Sequence, residues 1–262
     1  MQPIGIFDSG TGGLGILREV MRLLPGQDLV YFADTKNFPY GEKTPEQLQR
    51  FAYDTVSFLI KNHNIKALVV ACNTSSVHSL DFLRKHFTIP IIGTVPVVKP
   101  ACSVSKTKKV AILATPAAAS SAYQKNLIAM FAGDVQVFNI GCPGLADQVE
   151  TGKLNTSETI QKLHEALDVP LREGIDVVGL ACTHYPFLRT QIEAIVGPGV
   201  TVLDSNHAVA KQVLRVLGAT DQQSNAEHGT VIFYASKNPE AFEQTARMLI
   251  GDSVQEVILA DV

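Results

Sequence analysis

The chain has no basic stripe. Its net charge is -3 and its seven histidines are scattered, so it carries no footprint for nucleic acid. It has no apolar run long enough to span a bilayer, which sets a membrane partner aside. The start, MQPIGIFDSG, shows neither the charged nor the apolar region of a secretory leader, so no leader is expected. Cysteine is sparse: Cys72, Cys102, Cys142 and Cys182 stand far apart, without metal-ligand spacing. They are expected as reduced thiols in the cytoplasm. No low-complexity linker divides the chain. What is present is an ample apolar content, 46% hydrophobic against 18% charged residues in 262, enough for one large domain or two of about 130 residues.

One stretch occurs twice. Ile65 to Thr74 reads IKALVVACNT and Ile175 to Thr183 reads IDVVGLACT, with a cysteine seven positions after the isoleucine in each. Each copy reads as a buried strand running into a loop, which places Cys72 and Cys182 at carboxyl ends of strands, where open α/β sheets build their sites. Asn73, Thr74 and Ser75 follow one cysteine, and Thr183, His184 and Tyr185 the other. A lone cysteine reads as a small buried hydrophobe, but packing requires no polar triplet after both. Two thiols in matching settings imply two halves of the chain facing each other across a central cleft.

The wider pattern agrees. Residues 3–7, 29–32, 67–71 and 89–92 read as strands, alternating with helices at 16–24, 45–62 and 75–86. Residues 93–106, with Pro96 and Pro100, read as a crossing segment. The alternation restarts with strands at 110–113 and 135–140, the strand before Cys182 and one at 200–203, with helices at 121–131 and 187–196 and a helix-rich stretch at 145–172. A helix (206–217), a strand (230–234), a helix (239–249) and a strand (254–259) end it. The fold class is α/β, two similar doubly wound lobes in a pseudo-two-fold arrangement.

Other motifs stay open on their residues alone. Gly10, Gly12 and Gly15 satisfy G-x-G-x-x-G after a strand, and Asp34 closes the next strand, the formal dinucleotide fingerprint. Asp8, immediately before the loop, opposes a pyrophosphate there; the glycines also suit a small carboxylate. Asp8 and Ser9 read either as base-orienting groups or as caps of the following helix. The Asn37 to Gly41 loop supplies the Tyr40 hydroxyl and glycine amides, or is an ordinary turn. Thr115 reads as a helix cap. Cys102 and Cys142 lack the polar triplet and read as structural. Glu150 ends a helix, where the dipole disfavours a carboxylate, and His184 stands two residues from Cys182.

Two thiols of this kind suit isomerisation at a stereocentre. A thiol has a pKa of about 8.5, and lowering it to about 7 takes roughly 2 kcal/mol. A thiolate then takes a proton from carbon while a thiol on the opposite face gives one, and either cysteine serves as base or acid according to substrate hand. Neighbouring donors hold a carboxylate and the developing enediolate. No lysine is set to hold pyridoxal phosphate, so the expected chemistry uses no cofactor and no metal.

IGIFDSGTGGLGILREV (4–20), YFADTKNFPYGEKTPE (31–46), VVACNTSS (69–76), CPGLADQVETG (142–152), ACTHYPFL (181–188) and VLDS (202–205) closely resemble the bacterial glutamate racemase family. More distantly they resemble aspartate racemases of the same superfamily. The resemblance implies a small-molecule substrate, glutamate, with Cys72 and Cys182 as acid/base thiols. Asp8 would assist the first, and Glu150 and His184 the second. Asp8, Ser9, Tyr40, Gly41, Asn73, Thr74, Thr183, His184 and Thr115 match substrate-binding positions. It also implies a homodimer, D-glutamate supply for peptidoglycan, and lobes of residues 1–97 plus 208–262 and 98–207.

Three departures stand out. The family often has a second threonine three residues after the position of Thr115; here it is Ala118, with Ser120 or Ser121 as replacements. GLADQVE, after Cys142, is more polar than usual. With so few residues before the first strand, the amino-terminal extension linked in some members to activation by a peptidoglycan precursor is not expected here. The competing readings are an aspartate racemase, a nucleotide-dependent oxidoreductase using the glycine loop, and a non-catalytic binding protein for an acidic amino acid.

Overall fold

The computed structural model describes residues 2–94, 97–218 and 229–262. The chain divides into two compact units, residues 1–94 with 206–262, and residues 95–205.

The first unit opens with β1 (Ile4–Asp8), α1 (Leu14–Leu23), β2 (Leu29–Ala33), α2 (Pro45–His63), β3 (Ala67–Val70), α3 (Asn73–His86) and β4 (Ile91–Gly93). Every residue of β1, β2 and β3 is buried, as expected of parallel strands covered on both faces. The sequence marks α2 sharply. Thr44 Oγ1 accepts from the Gln47 amide while Gln47 Oε1 accepts from the Thr44 amide, and Pro45 takes the first helical position. Such a capping box is worth about 1 kcal/mol. Asn64, in the left-handed region at φ 49°, ends the helix.

The second unit holds α4 (Val98–Val104), β5 (Lys109–Ala114), α5 (Pro116–Ser120), α6 (Ala122–Phe131), β6 (Gln136–Gly141), α7 (Leu145–Glu150), α8 (Ser157–Arg172), β7 (Val177–Leu180), α9 (Arg189–Val196) and β8 (Thr201–Leu203). The chain then returns to the first unit with α10 (Asn206–Val216), β9 (Val231–Ala235), α11 (Pro239–Ile250) and β10 (Val257–Leu259).

Two elements depart from the sequence reading. Part of the expected crossing segment is the helix α4; Pro96 lies outside the described residues. Pro100 falls in the first turn of α4, where an amide has no intrahelical partner to lose, and Val98, Ala101 and Cys102 are buried along one face. A Cβ at Gly179 would lie 2.5 Å from Val97 Cγ2, so the absence of a side chain there lets this segment settle on β7. The second departure is α5, where Thr115 caps the chain through the Ala118 amide and Pro116 opens the turn.

Both sheets are parallel. The first runs β10-β9-β2-β1-β3-β4 and the second β6-β5-β7-β8. The four strands β2-β1-β3-β4 therefore have the order of the whole second sheet, and the repeated segments are the same strand in each, β3 and β7. Each unit buries its own core. Phe7, Phe32, Leu48, Val56 and Leu68 anchor one, and Val98, Val110, Ile112 and Val177 the other. Each such side chain contributes roughly 1.5–3 kcal/mol when fully buried. Among the described residues no helix is long and apolar enough to cross a membrane.

The glycine loop is closely packed. A Cβ at Gly13 would lie 2.8 Å from Tyr31 Oη and 2.9 Å from the Cβ atoms of both Ala71 and Asp8. The last two are fixed to backbone and cannot swing aside. Gly13→Ala is therefore expected to cost about 1–3 kcal/mol in urea unfolding; a loss under 0.5 kcal/mol would show that the loop yields without strain.

Candidate active site

Each sheet changes direction at its central strand. From β1 the chain goes to β2 on one side and then crosses to β3 on the other; β5, β6 and β7 repeat this. The carboxyl ends of the central and third strands flank that switch point, where α/β sheets bind ligands. The Ala71 amide donates to the Phe7 carbonyl and the Ala181 amide to the Leu113 carbonyl, both at 2.7 Å. The next residue in each case is the cysteine.

In the first unit Cys72 is buried and occupies the cap position of α3, its carbonyl accepting from the Ser76 amide at 2.8 Å. The partial positive charge of a helix N-terminus favours a thiolate there. Cys72 Sγ lies 3.8 Å from Ser9 Oγ. Asn73 and Thr74, in the first turn of α3, are buried too. Among the described residues neither amide atom of Asn73 has a hydrogen-bond partner, an uncommon condition for a buried polar group. Asp8 is not a cap: α1 starts at Leu14 behind Gly13, and Asp8 Oδ1 accepts from the Gly10 amide at 2.9 Å.

Tyr40 is buried in the same unit, beside Gly41 in a short 3-10 turn. Burial, then the carboxylate of Asp34 and the charges of Cys72 and Asp8, holds its phenol well above the usual range. Its hydroxyl donates to Asp34 Oδ2 at 2.6 Å. Asp34 also accepts from Asn37 Nδ2 at 3.0 and 2.9 Å and from Ser236 Oγ at 2.8 Å. The acid of the dinucleotide fingerprint thus holds this loop, with its lone pairs engaged by the chain. The sequence marked Asp34 only as a ribose acid, and nothing in it linked that residue to Ser236, just after β9.

In the second unit Cys182, Thr183 and His184 are buried, and the Cys182 carbonyl accepts from the Tyr185 amide as a short 3-10 turn begins. His184 Nδ1 lies 3.7 Å from Cys182 Sγ, and its Nε2 lies 2.6 Å from Glu150 Oε1 at the end of α7. Burial alone would lower the His184 pKa; hydrogen bonds and charges from Cys182 and Glu150 outweigh it and hold the imidazolium well above its ordinary range. Cys142 differs: burial, with the Cys182 charge, pushes its thiol up to about 12, so it stays a protonated, unreactive thiol. The fully buried Tyr185 hydroxyl donates to the carbonyls of Ala114 and Cys142, at 3.2 and 3.3 Å. It ties the loop after Cys182 to the end of β5, a role the polar triplet did not disclose.

The departures resolve locally. Ser121 Oγ donates to the Ala118 carbonyl and Ser120 Oγ to that of Ala117, so both serine hydroxyls serve their own turns. Gln148, one of the polar residues of GLADQVE, accepts from Thr159 Oγ1 at 3.1 Å and donates to Glu158. That anchors α7, and Glu150 with it, to α8. Thr115 sits at the end of β5 as the cap of α5.

Comparison with known proteins gives the chain its class. The family model described as Asp/Glu/Hydantoin racemase matches residues 14–213, and the chain belongs to that family. It is an amino-acid racemase, an isomerase. Within the family the likeness runs to glutamate racemases. That of Herpetosiphon aurantiacus is 40% identical over 95% of this chain and 98% of its own. A solved glutamate racemase from Bacillus anthracis is 32% identical, covering 100% of this chain and 98% of that one, with a TM-score of 0.85. The Escherichia coli glutamate racemase, solved with L-glutamate and the activator UDP-MurNAc-ala, is 29% identical. It covers 98% of this chain and 97% of that one, with a TM-score of 0.86.

The imidazole pair makes a pH prediction. A histidine whose folded pKa is raised contributes stability that is complete below about pH 6.5 and is lost as pH climbs through the raised value. Urea unfolding of the parent and of His184→Asn should therefore differ most near pH 6, by about 3 kcal/mol, with the gap shrinking on the alkaline side. A gap that stays constant from pH 6 to 10 would show that His184 folds neutral.

Proposed function

We propose that this chain interconverts L- and D-glutamate without a cofactor, by two-base proton transfer in which Cys72 and Cys182 act on opposite faces of the substrate α-carbon. One observation carries the reading: each unit sets one buried thiol immediately beyond the last bond between its central and third strands, and each thiol has its own polar escort. One thiolate removes the α-proton and leaves a planar enediolate; the other thiol returns a proton to the far face, and the charge has changed sides. The helix N-terminus and Asp8 support Cys72. His184, backed by Glu150, supports Cys182 by accommodating its charge. The unpartnered amide of Asn73, with Ser9, Thr74, Gly41, Thr183 and Thr115, supplies hydrogen-bonding groups toward the substrate carboxylates.

In the cell this activity supplies D-glutamate for peptidoglycan from the cytoplasm, and the chain works as a homodimer. Similarity to glutamate racemases over nearly the whole chain supports glutamate over aspartate. The engaged carboxylate of Asp34 argues against the nucleotide reading of the glycine loop.

The test is incubation with L-glutamate and, separately, L-aspartate in heavy water without added cofactor, followed by circular dichroism and by NMR of the α-proton. The glutamate signal should decay as deuterium enters the α position. Loss with aspartate alone would move the assignment to that substrate. Cys72→Ser and Cys182→Ser should each lower racemisation by about 10³-fold or more, while glutamate binding largely survives. Parent rates in both variants would exclude the two-thiol mechanism.

A further inference from the structure

We propose that Asp34 is a positioning residue for the substrate loop, and that Tyr40 serves that loop as a buttress rather than by donating from its hydroxyl to substrate. The inference rests on the glutamate racemase reading and extends it to residues with no assigned role, Asp34 and Ser236.

The carboxylate of Asp34 is 3% exposed. Burying such a charge is costly unless donors replace water around it. Here the donors are neutral: Asn37 to both oxygens, Tyr40 to Oδ2 and Ser236 to Oδ1. Two of these side chains belong to the loop of residues 37–41 and the third to the segment after β9. Ser236 Oγ also accepts from the Lys36 amide at 2.9 Å, which closes the loop base from the other side. The Asp34 amide donates to the Asp8 carbonyl at 2.9 Å, so one residue joins the loop to the end of β1. Tyr40 is further fixed by its ring, which meets Phe7 edge-on at 6.2 Å and Phe51 at 6.1 Å.

Hydrogen-bond arithmetic then restricts the phenol. A tyrosine hydroxyl has one proton, and that of Tyr40 goes to Asp34 through a short, charge-assisted bond. Toward any ligand the oxygen can only accept. An ionised carboxylate also only accepts, so this hydroxyl cannot hold a carboxylate of glutamate while it holds Asp34. The loop's contribution to a substrate carboxylate must come from its backbone amides, and their placement depends on Asp34 and Ser236.

The experiment is racemisation kinetics, with glutamate binding by calorimetry, on the full chain and on Asp34→Ala, Asp34→Asn, Tyr40→Phe, Ser236→Ala and the Asp34→Ala/Tyr40→Phe double variant. Asp34→Ala should raise KM and Kd by about tenfold, the scale of one charge-assisted hydrogen bond, with kcat within about threefold. Asp34→Asn, whose amide oxygen still accepts from the phenol, should recover most of that loss. The double variant should be no worse than Asp34→Ala, because the hydroxyl acts only through the carboxylate. Ser236→Ala, which leaves the other donors in place, should raise KM and Kd by about threefold and keeps the test open if Asp34→Ala does not fold.

Losses that multiply in the double variant would show the phenol meeting substrate directly and overturn the proposal. So would lowered melting temperatures with unchanged KM and Kd. A parent that binds glutamate without exchanging its α-proton defeats the two-thiol reading alone, since the binding arm still decides the role of Asp34. A parent that does neither overturns both.

Discussion

One main-chain hydrogen bond, made twice, decides where the two repeated cysteines stand. The Ala71 amide meets the Phe7 carbonyl and the Ala181 amide meets the Leu113 carbonyl. Each closes the pairing of a central strand with its third strand, in registers set by Phe7 against Val70 and Leu113 against Leu180. Immediately beyond that bond the chain leaves the strand for a helical segment, α3 in one unit and a short 3-10 turn in the other. Cys72 and Cys182 occupy that junction. A slip of one residue would turn every side chain of the strand to the opposite face. The apolar runs ALVV and VVGL, buried throughout, therefore secure the thiols as much as they secure the core.

The repetition stops at the backbone. Around Cys72 the setting is dipolar, a helix N-terminus and the Ser9 hydroxyl. Around Cys182 it is a charge chain, thiol to imidazole to carboxylate, with Glu150 delivered by α7 and α7 held by Gln148 against Thr159. The two thiols therefore stand in unlike environments, and the two-base proposal asks both of them to take and to give a proton. Cys142 shows that burial near Cys182 does not by itself favour a thiolate: burial and the Cys182 charge raise its pKa against the opposing hydrogen bonds of Ala114 and Tyr185.

Several glycines and prolines become intelligible only once their neighbours are known. The G-x-G-x-x-G spacing reads as a phosphate cradle, yet Gly13 beside it is small because Tyr31, Ala71 and Asp8 crowd it, and Gly15 because the Asn206 amide lies where a Cβ would stand. Pro100 reads as a break, yet it sits in the one turn of α4 that tolerates it. In each case a local signal has two physical causes, and the choice between them is made by residues distant in sequence.

Most of the strand and helix order was legible in the chain alone, because apolar periodicity and capping chemistry are local: Thr44-Pro45 with Gln47 announces α2, and the twofold IKALVVAC and IDVVGLAC announce β3 and β7. The two cysteines were legible for the same reason, since a repeated strand followed by polar residues leaves its mark within ten positions. The hub at Asp34 was not. Its partners Asn37 and Tyr40 are near, but Ser236 is 202 residues away, and only the pairing of β2 with β9 brings it alongside. The link from His184 to Glu150 spans 34 residues and depends on how α7 packs. Sequence by itself determined which polar and thiol groups follow the repeated strands; tertiary structure alone decided which of them touch, because hydrogen bonds and charge act across a few ångströms of space rather than along the chain.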